Sequence, residues 1–276
     1  MRNKPLVDES GSAVARMGAV LRGFVLGPPA KNGVEKYRHE LKYLINYGEK
    51  AALTCRMAPI LKLDPHATSG GYCIRSLYFD DYWNSAYEEK DAGVLLRKKY
   101  RIRIYDYSDR VIKLERKKKF GQWIHKEDAS LTRDEFYRIL DGDYGFLLRS
   151  DQPLCREFYT ECVSNVMRPR VIVDYEREPW IMDAGTVRVT FDMGMRAAVQ
   201  GFDVFDESLP TLPVIEPGKL IMEVKFTEFL PQVVRDLLPP KSSEITSFSK
   251  YALCYEKTAY LHGFEYWSDS FAPERM

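Results

Sequence analysis

The chain is 276 residues long, 45% hydrophobic and 29% charged, and its 41 basic against 40 acidic residues leave a net charge of +1. This length supports a sizeable core in one large domain or two small ones. The apolar content is too high for a disordered chain, and no apolar run reaches the length of a membrane-spanning helix. Near neutrality argues against a general nucleic-acid coat but conceals a strong local asymmetry.

Residues 1–34 read as a flexible N-terminal tail broken by Gly27-Pro28-Pro29. Within it Val14, Met17, Val20, Leu21, Phe24 and Val25 follow helical spacing among arginines, a pattern that suits a membrane surface or a partner. From Tyr37 the pattern alternates as in a strand. Residues 47–63 read as a helix, 74–79 as a strand and 82–92 as a loop or helical turn. Arg97 to Tyr105 and Val111 to Lys119 read as a hairpin turning at Asp106, Ser108 and Asp109. Thr132 with Glu135 forms a capping box for a helix over 132–148. Helical patterns recur at 153–166, 230–238 and 248–262, and further strands at Val171–Tyr175, Val187–Asp192 and Leu220–Phe226. With no repeat or internal composition shift, one α+β domain dominated by antiparallel strands is expected over 35–265, followed by a C-terminal tail at 266–276.

The five cysteines are odd in number and lack C-x-x-C spacing, and the four histidines are scattered. This pattern argues against a disulfide scaffold and a zinc site, and reduced thiols in a cytoplasmic protein are expected. Neither G-x-x-x-x-G-K-[ST] nor G-x-G-x-x-G occurs, so any phosphate chemistry does without a glycine loop.

The strands share an unusual feature. Charged residues hold one parity in Arg38, Glu40 and Lys42, in Lys99, Arg101 and Arg103, and in Lys113, Glu115, Lys117 and Lys119. Arg188 and Asp192 repeat it, as do Glu223 and Lys225. The Val171–Arg177 run fits less well, because Val171, Val173, Tyr175 and Arg177 share a parity. A single strand of this kind is a solvated sheet face. The ensemble, with helices available to cover the apolar side, predicts a barrel turned inside out, with a charged lumen and helices packed outside. Such a lumen needs a polyanion, because buried unpaired charge is costly. Between Arg97 and Lys126 twelve Lys or Arg face three Asp or Glu, a set suited to phosphate. Carboxylates on the same face would repel a nucleic-acid backbone and suit instead a hard divalent cation that itself binds phosphates. Glu40, Glu115 and Glu223 are the candidate metal ligands.

Ordered motifs add to this. Tyr37-Arg-His-Glu-Leu-Lys-Tyr43, Arg75-Ser-Leu-Tyr-Phe-Asp80, Arg97-Lys-Lys-Tyr-Arg-Ile-Arg103, Lys113-Leu-Glu115, Asp174-Tyr-Glu-Arg177, Val187-Arg-Val-Thr-Phe-Asp192, Met222-Glu-Val-Lys-Phe226 and Ser249-Lys250 succeed one another along the chain. Over residues 35–260 the sequence resembles the VTC domain, the catalytic domain type of the vacuolar transporter chaperone, within the triphosphate tunnel (CYTH-like) superfamily. The resemblance implies an antiparallel eight-stranded β-barrel tunnel and polyphosphate synthesis from ATP with manganese or magnesium. By motif, Lys42, Arg101, Arg103, Lys113, Lys126, Arg177 and Arg188 would hold phosphates, with Lys225 beside the metal ligand Glu223 and with Ser249 and Lys250 at a helix start. Arg101, Arg103, Lys113 and Lys225 would serve catalysis.

The superfamily's hydrolases open with Glu-x-Glu-x-Lys, where this chain has Arg38-x-Glu40-x-Lys42. Loss of one carboxylate disfavours a two-metal hydrolytic site and fits the polymerase branch. The rivals are a triphosphate or polyphosphate hydrolase and a non-catalytic polyphosphate- or nucleotide-binding module. ATP and inorganic polyphosphate are the expected partners. With no membrane segment in the chain, export of product would need a membrane protein.

Overall fold

The computed structural model describes residues 38–260, apart from 68–69, 122, 228 and 240–247. The two tails expected at 1–34 and 266–276 lie outside the described residues. In chain order the elements are β1 (His39–Asn46), α1 (Tyr47–Met57), β2 (Lys62–Leu63), β3 (Tyr72–Asp80), α2 (Ser85–Asp91), β4 (Leu96–Tyr105), β5 (Ser108–Phe120) and β6 (Trp123–Leu131). They continue with α3 (Arg133–Leu140), α4 (Gly145–Leu148), α5 (Pro153–Ser164), β7 (Arg168–Met182), β8 (Val187–Ala198), β9 (Thr211–Pro213), β10 (Lys219–Phe226), α6 (Gln232–Arg235) and α7 (Lys250–Thr258).

Eight strands form one antiparallel path in the order β1-β10-β8-β7-β3-β4-β5-β6, with β2 added on β7 and β9 on β8. No backbone ladder joins β1 to β6 among the described residues. The sheet curls until side chains close that seam. His39 of β1 meets Trp123 of β6 with ring centroids 5.7 Å apart, and Lys117 of β5 bonds Glu40 of β1 at 2.9 Å. The result is the expected eight-stranded tunnel, with one seam held by side chains.

Local chemistry sets the ends of the elements. Asn46 with Glu49, and Thr132 with Glu135, make full capping boxes at α1 and α3. The β4–β5 hairpin turns through Asp106 and Tyr107, both at left-handed φ (49° and 55°) as a tight two-residue hairpin requires. Tyr107 is held there by its ring under Arg75, 4.5 Å away. The sequence reading assigns no strand to β6, because charges fall on both of its faces. One of them, Glu127, points outward to pair with Arg116.

Two apolar clusters cover the convex face. One joins Ile102, Ile104, Leu114 and Leu131 to Phe136, Leu147 and Phe158 of α3, α4 and α5. The other joins Tyr43, Ile45, Val189, Phe191, Met222 and Val224 to Leu53 and Met57 of α1 and Val234 of α6. These are the helices expected outside. A third cluster lies on the concave face, where Ile74, Val171, Val173, Tyr175, Met195, Ala197 and Ile221 pack against Tyr251 and Cys254 of α7 and Ala86 of α2. This explains the parity that did not fit, since the inner face of β7 is apolar where α7 plugs the lumen. A bulge assists. Gly194 at φ +57° lets both Asp192 before it and Met195 after it face inward.

The plug is tied by one carboxylate. Asp80 accepts from the Tyr251 hydroxyl at 2.6 Å and from the backbone N–H groups of Ala86 and Tyr87 in the first turn of α2. Tyr251 also stacks on Tyr78, with centroids 5.3 Å apart. Tyr251→Ala should therefore cost about 3–5 kcal/mol in urea unfolding. Tyr251→Phe keeps the stack and should cost about 1 kcal/mol. Changes within about 0.5 kcal/mol for both would mean that α7 is a surface helix.

Candidate functional site

Above the plug the concave face encloses a cavity of about 450 Å³. Eleven Lys or Arg and three Glu line it, with contributions from β1, β3, β4, β5, β6, β7, β10, α2 and α7. Alternation delivers them, because every second residue of a strand points inward.

The carboxylates organise the cations. Glu223 of β10, 3% exposed, lies 2.6 Å from Lys225, 2.5 Å from Lys250, 3.6 Å from Arg177 and 3.7 Å from Lys42. Glu40 lies 2.9 Å from Lys117 and 3.8 Å from both Lys42 and Lys225. Glu115 accepts from Arg101 at 2.7 Å and pairs with Lys126 at 2.7 Å. Asp192, behind the wall, takes a two-pronged bond from Arg177 at 2.7 and 2.8 Å and pairs with Lys250 at 2.7 Å. Tyrosines brace the guanidinium groups. Arg101 donates to the Tyr78 hydroxyl at 2.7 Å, and Arg103 donates to Tyr175 at 3.2 Å and Ser76 at 3.1 Å.

Protonation follows from this. Burial alone would raise the carboxyls of Glu223 and Glu40. Lys225, Lys250, Lys42 and Arg177 instead hold Glu223 well below the usual range, and Lys117, Lys42 and Lys225 do the same for Glu40. Glu115 is depressed by Arg101, Arg103 and Lys126, again against burial. Burial would lower Lys250, but Asp192 and Glu223 push it up. Lys99 has no carboxylate in direct contact among the described residues. Burial, with Arg97, Lys117 and Lys42 nearby, brings its amine down to about 7, and Asp80 offsets this only in part.

Ten of the thirteen residues singled out from the sequence line the cavity: Glu40, Lys42, Arg101, Arg103, Glu115, Arg177, Glu223, Lys225, Ser249 and Lys250. The other three are not on its wall. Lys126 is held by the far oxygen of Glu115 at 2.7 Å and by Asp128 at 3.9 Å. Lys113 donates to Ser130 at 2.8 Å and lies 3.3 Å from Asp128. Arg188 is drawn off by Asp64 at 2.8 Å and Tyr72 at 3.0 Å. Sequence reasoning missed Tyr78, Tyr175 and Tyr251, whose inward direction depends on the plug. It also passed over Lys99, Lys117 and Lys119, although their parity was correct.

The three proposed metal ligands do not converge. Among the described residues no three His, Cys, Asp or Glu side chains group as a metal site. Glu115 is held apart by Arg101 and Lys126, whereas Glu40 and Glu223 share Lys42 and Lys225. Magnesium and manganese commonly bind through one or two carboxylates plus substrate phosphates, without an all-protein cage. Glu223 with Glu40 fits an ion of that kind, arriving with phosphate.

Comparison with known proteins agrees in part. The sequence model of the family described as the VTC domain matches residues 37–259. No curated protein matches the chain. Among solved structures, a Hippeastrum protein described as an adenylyl cyclase with dominant triphosphatase activity is 16% identical, with TM-score 0.46, covering 81% of this chain and 96% of that one. The PH1819 protein of Pyrococcus horikoshii is 14% identical, with TM-score 0.43 and coverage of 80% and 99%. The Mimivirus capping-enzyme triphosphatase is 11% identical, with TM-score 0.34 and coverage of 84% and 94%. Likenesses this distant carry no argument about activity.

The position of Lys99 gives a pH signature. Above about pH 7 the folded chain releases a proton that the unfolded chain keeps up to about 10.5. The unfolded state then binds more protons, so this residue makes stability rise with pH across that window. The melting temperature of the wild type relative to Lys99→Met should therefore climb from neutral pH to about pH 10. Parallel profiles would show that Lys99 titrates normally.

Proposed function

Because the chain belongs to the VTC domain family, we propose that it is a polyphosphate polymerase, transferring the γ-phosphoryl group of ATP to the end of a polyphosphate chain inside the basic cavity. The observation that carries this reading is the cavity's excess of fixed cations, eleven against three carboxylates, with the carboxylates built into the same wall. A polyanion matches the excess, and the carboxylates leave a place for a divalent ion.

Phosphoryl transfer needs alignment and charge neutralisation more than covalent help. Arg101, braced by Glu115 and Tyr78, and Arg103, braced by Ser76 and Tyr175, are held in place before substrate arrives. They would neutralise the transferring group without reorganising. Arg177, clamped by Asp192, and Lys42, Lys225 and Lys250 around Glu223 would hold the remaining phosphates. Glu223 and Glu40 would hold manganese or magnesium, which supplies charge neutralisation at phosphate oxygens when bound. A terminal polyphosphate oxygen forms the new bond to the γ-phosphorus, the β–γ bridge breaks, and ADP leaves. That oxygen is already anionic, so no general base is required. In keeping with this, the one histidine on the wall, His39, is stacked on Phe226 with centroids 5.0 Å apart. On this reading the protein works in the cytoplasm, and export of polymer would need a membrane-protein partner. No helix among the described residues is long and apolar enough to cross a membrane.

Incubating pure protein with ATP and manganese should yield long polyphosphate and ADP. Free phosphate instead would identify a hydrolase, and no turnover a binding module. Arg101→Lys keeps the charge but loses the guanidinium fork, and should slow turnover by about 10²-fold. Glu223→Gln removes the counter-charge of four cations as well as a metal ligand. It should therefore abolish turnover and lower the melting temperature until tripolyphosphate is added.

A further inference from the structure

The eleven cations of the cavity divide by their partners. Seven have a carboxylate within 4.0 Å. Among the described residues, no carboxylate lies that close to the other four, Lys90, Arg97, Lys99 and Lys119. These four stand together. Arg97 and Lys119 are direct cross-strand partners on β4 and β5, and Lys99 is the next inward position on β4. The Arg97 guanidinium donates to the Lys90 carbonyl at 3.2 Å, which ties the end of α2 to the same place. Among the described residues the Lys99 amine meets the Ser249 hydroxyl, 2.9 Å away, and the face of Tyr251, 5.0 Å away.

The two groups differ in what an anion meets. At the seven it competes with internal carboxylates. At the four it relieves repulsion and displaces no carboxylate of the described residues. The repulsion is visible in Lys99 and in Lys119, whose amines are lowered by burial and by cationic neighbours that include Arg97 and Lys117. Alternate strand positions are about 7 Å apart, so these cations follow an extended anion and do not converge on one point.

We propose that Lys90, Arg97, Lys99 and Lys119 form a second subsite, adjoining the triphosphate site, that grips a further stretch of an inorganic polyphosphate chain. The proposal rests on the reading of polyphosphate as a substrate of this cavity. It separates the recognition of chain length from the recognition of three phosphates.

The test is a binding comparison without turnover. Wild type and Lys99→Gln/Lys119→Gln are titrated with tripolyphosphate and with long-chain polyphosphate at fixed ionic strength. The double variant should bind the long chain at least about tenfold more weakly, the loss expected from one or more charge-assisted hydrogen bonds. The salt dependence for the long chain should fall by roughly one unit per lost contact. Tripolyphosphate affinity should change by less than about twofold, because its cations are untouched. Lys99→Arg/Lys119→Arg should bind both ligands as the wild type does, which controls for folding. Equal losses for both ligands would mean one undivided site and would overturn the proposal. So would no loss for either, or a wild type that binds the long chain no better than tripolyphosphate. The polymerase reading stands or falls separately, on the products of the ATP incubation.

Discussion

Positive charges that face one another across a barrel interior can be buried only if something answers them. Here four carboxylates do most of that work. Glu223 alone serves Lys42, Lys225, Lys250 and Arg177, and Asp192 serves Arg177 and Lys250 from behind. Glu40 and Glu115 repeat the arrangement on the neighbouring walls. Each carboxylate is thereby held ionised and each guanidinium fixed in direction. The remaining positive charge has no carboxylate answering it among the described residues, and a polyanionic ligand can supply one.

The same constraint joins the site to the fold. Ser249 caps α7 by accepting from the Ala252 N–H at 3.3 Å, and Lys250, the first residue of that helix, reaches Glu223 and Asp192. Further along, Tyr251 and Cys254 plug the apolar half of the lumen. One short helix therefore closes the core and supplies two cavity residues. Glu223 cannot be read as a metal ligand alone, since it also balances the charges that α7 and three strands bring together.

Much of this was legible in the sequence, because alternation is a strict signal. Parity placed Glu40, Lys42, Arg101, Arg103, Glu115, Glu223 and Lys225 on one face, and they line one cavity. What parity cannot report is position along a strand or the neighbours that capture a side chain. Lys113 and Arg188 have the right parity but are held by Ser130 and Asp128 and by Asp64 and Tyr72. The β7 run looked anomalous because an inward helix leaves no mark on the strand that it covers. The three carboxylates read as metal ligands are divided by the fold. Three carboxylates of one parity became two that share lysines and one held apart by Arg101, a distinction that depends on which strands are neighbours.

The central claim is that a chain of phosphates answers the charge of this lumen. The most direct measurement compares the melting temperature with tripolyphosphate and with sulfate at equal ionic strength. A ligand of the folded state alone stabilises by about 2.7 kcal/mol at a hundredfold excess over Kd. At roughly 2–4 °C per kcal/mol that is a shift of several degrees. Tripolyphosphate should produce it and sulfate should not, because only the chain can meet cations on several strands at once. Equal small shifts from the two anions, lost at about 0.15 M salt, would contradict the account.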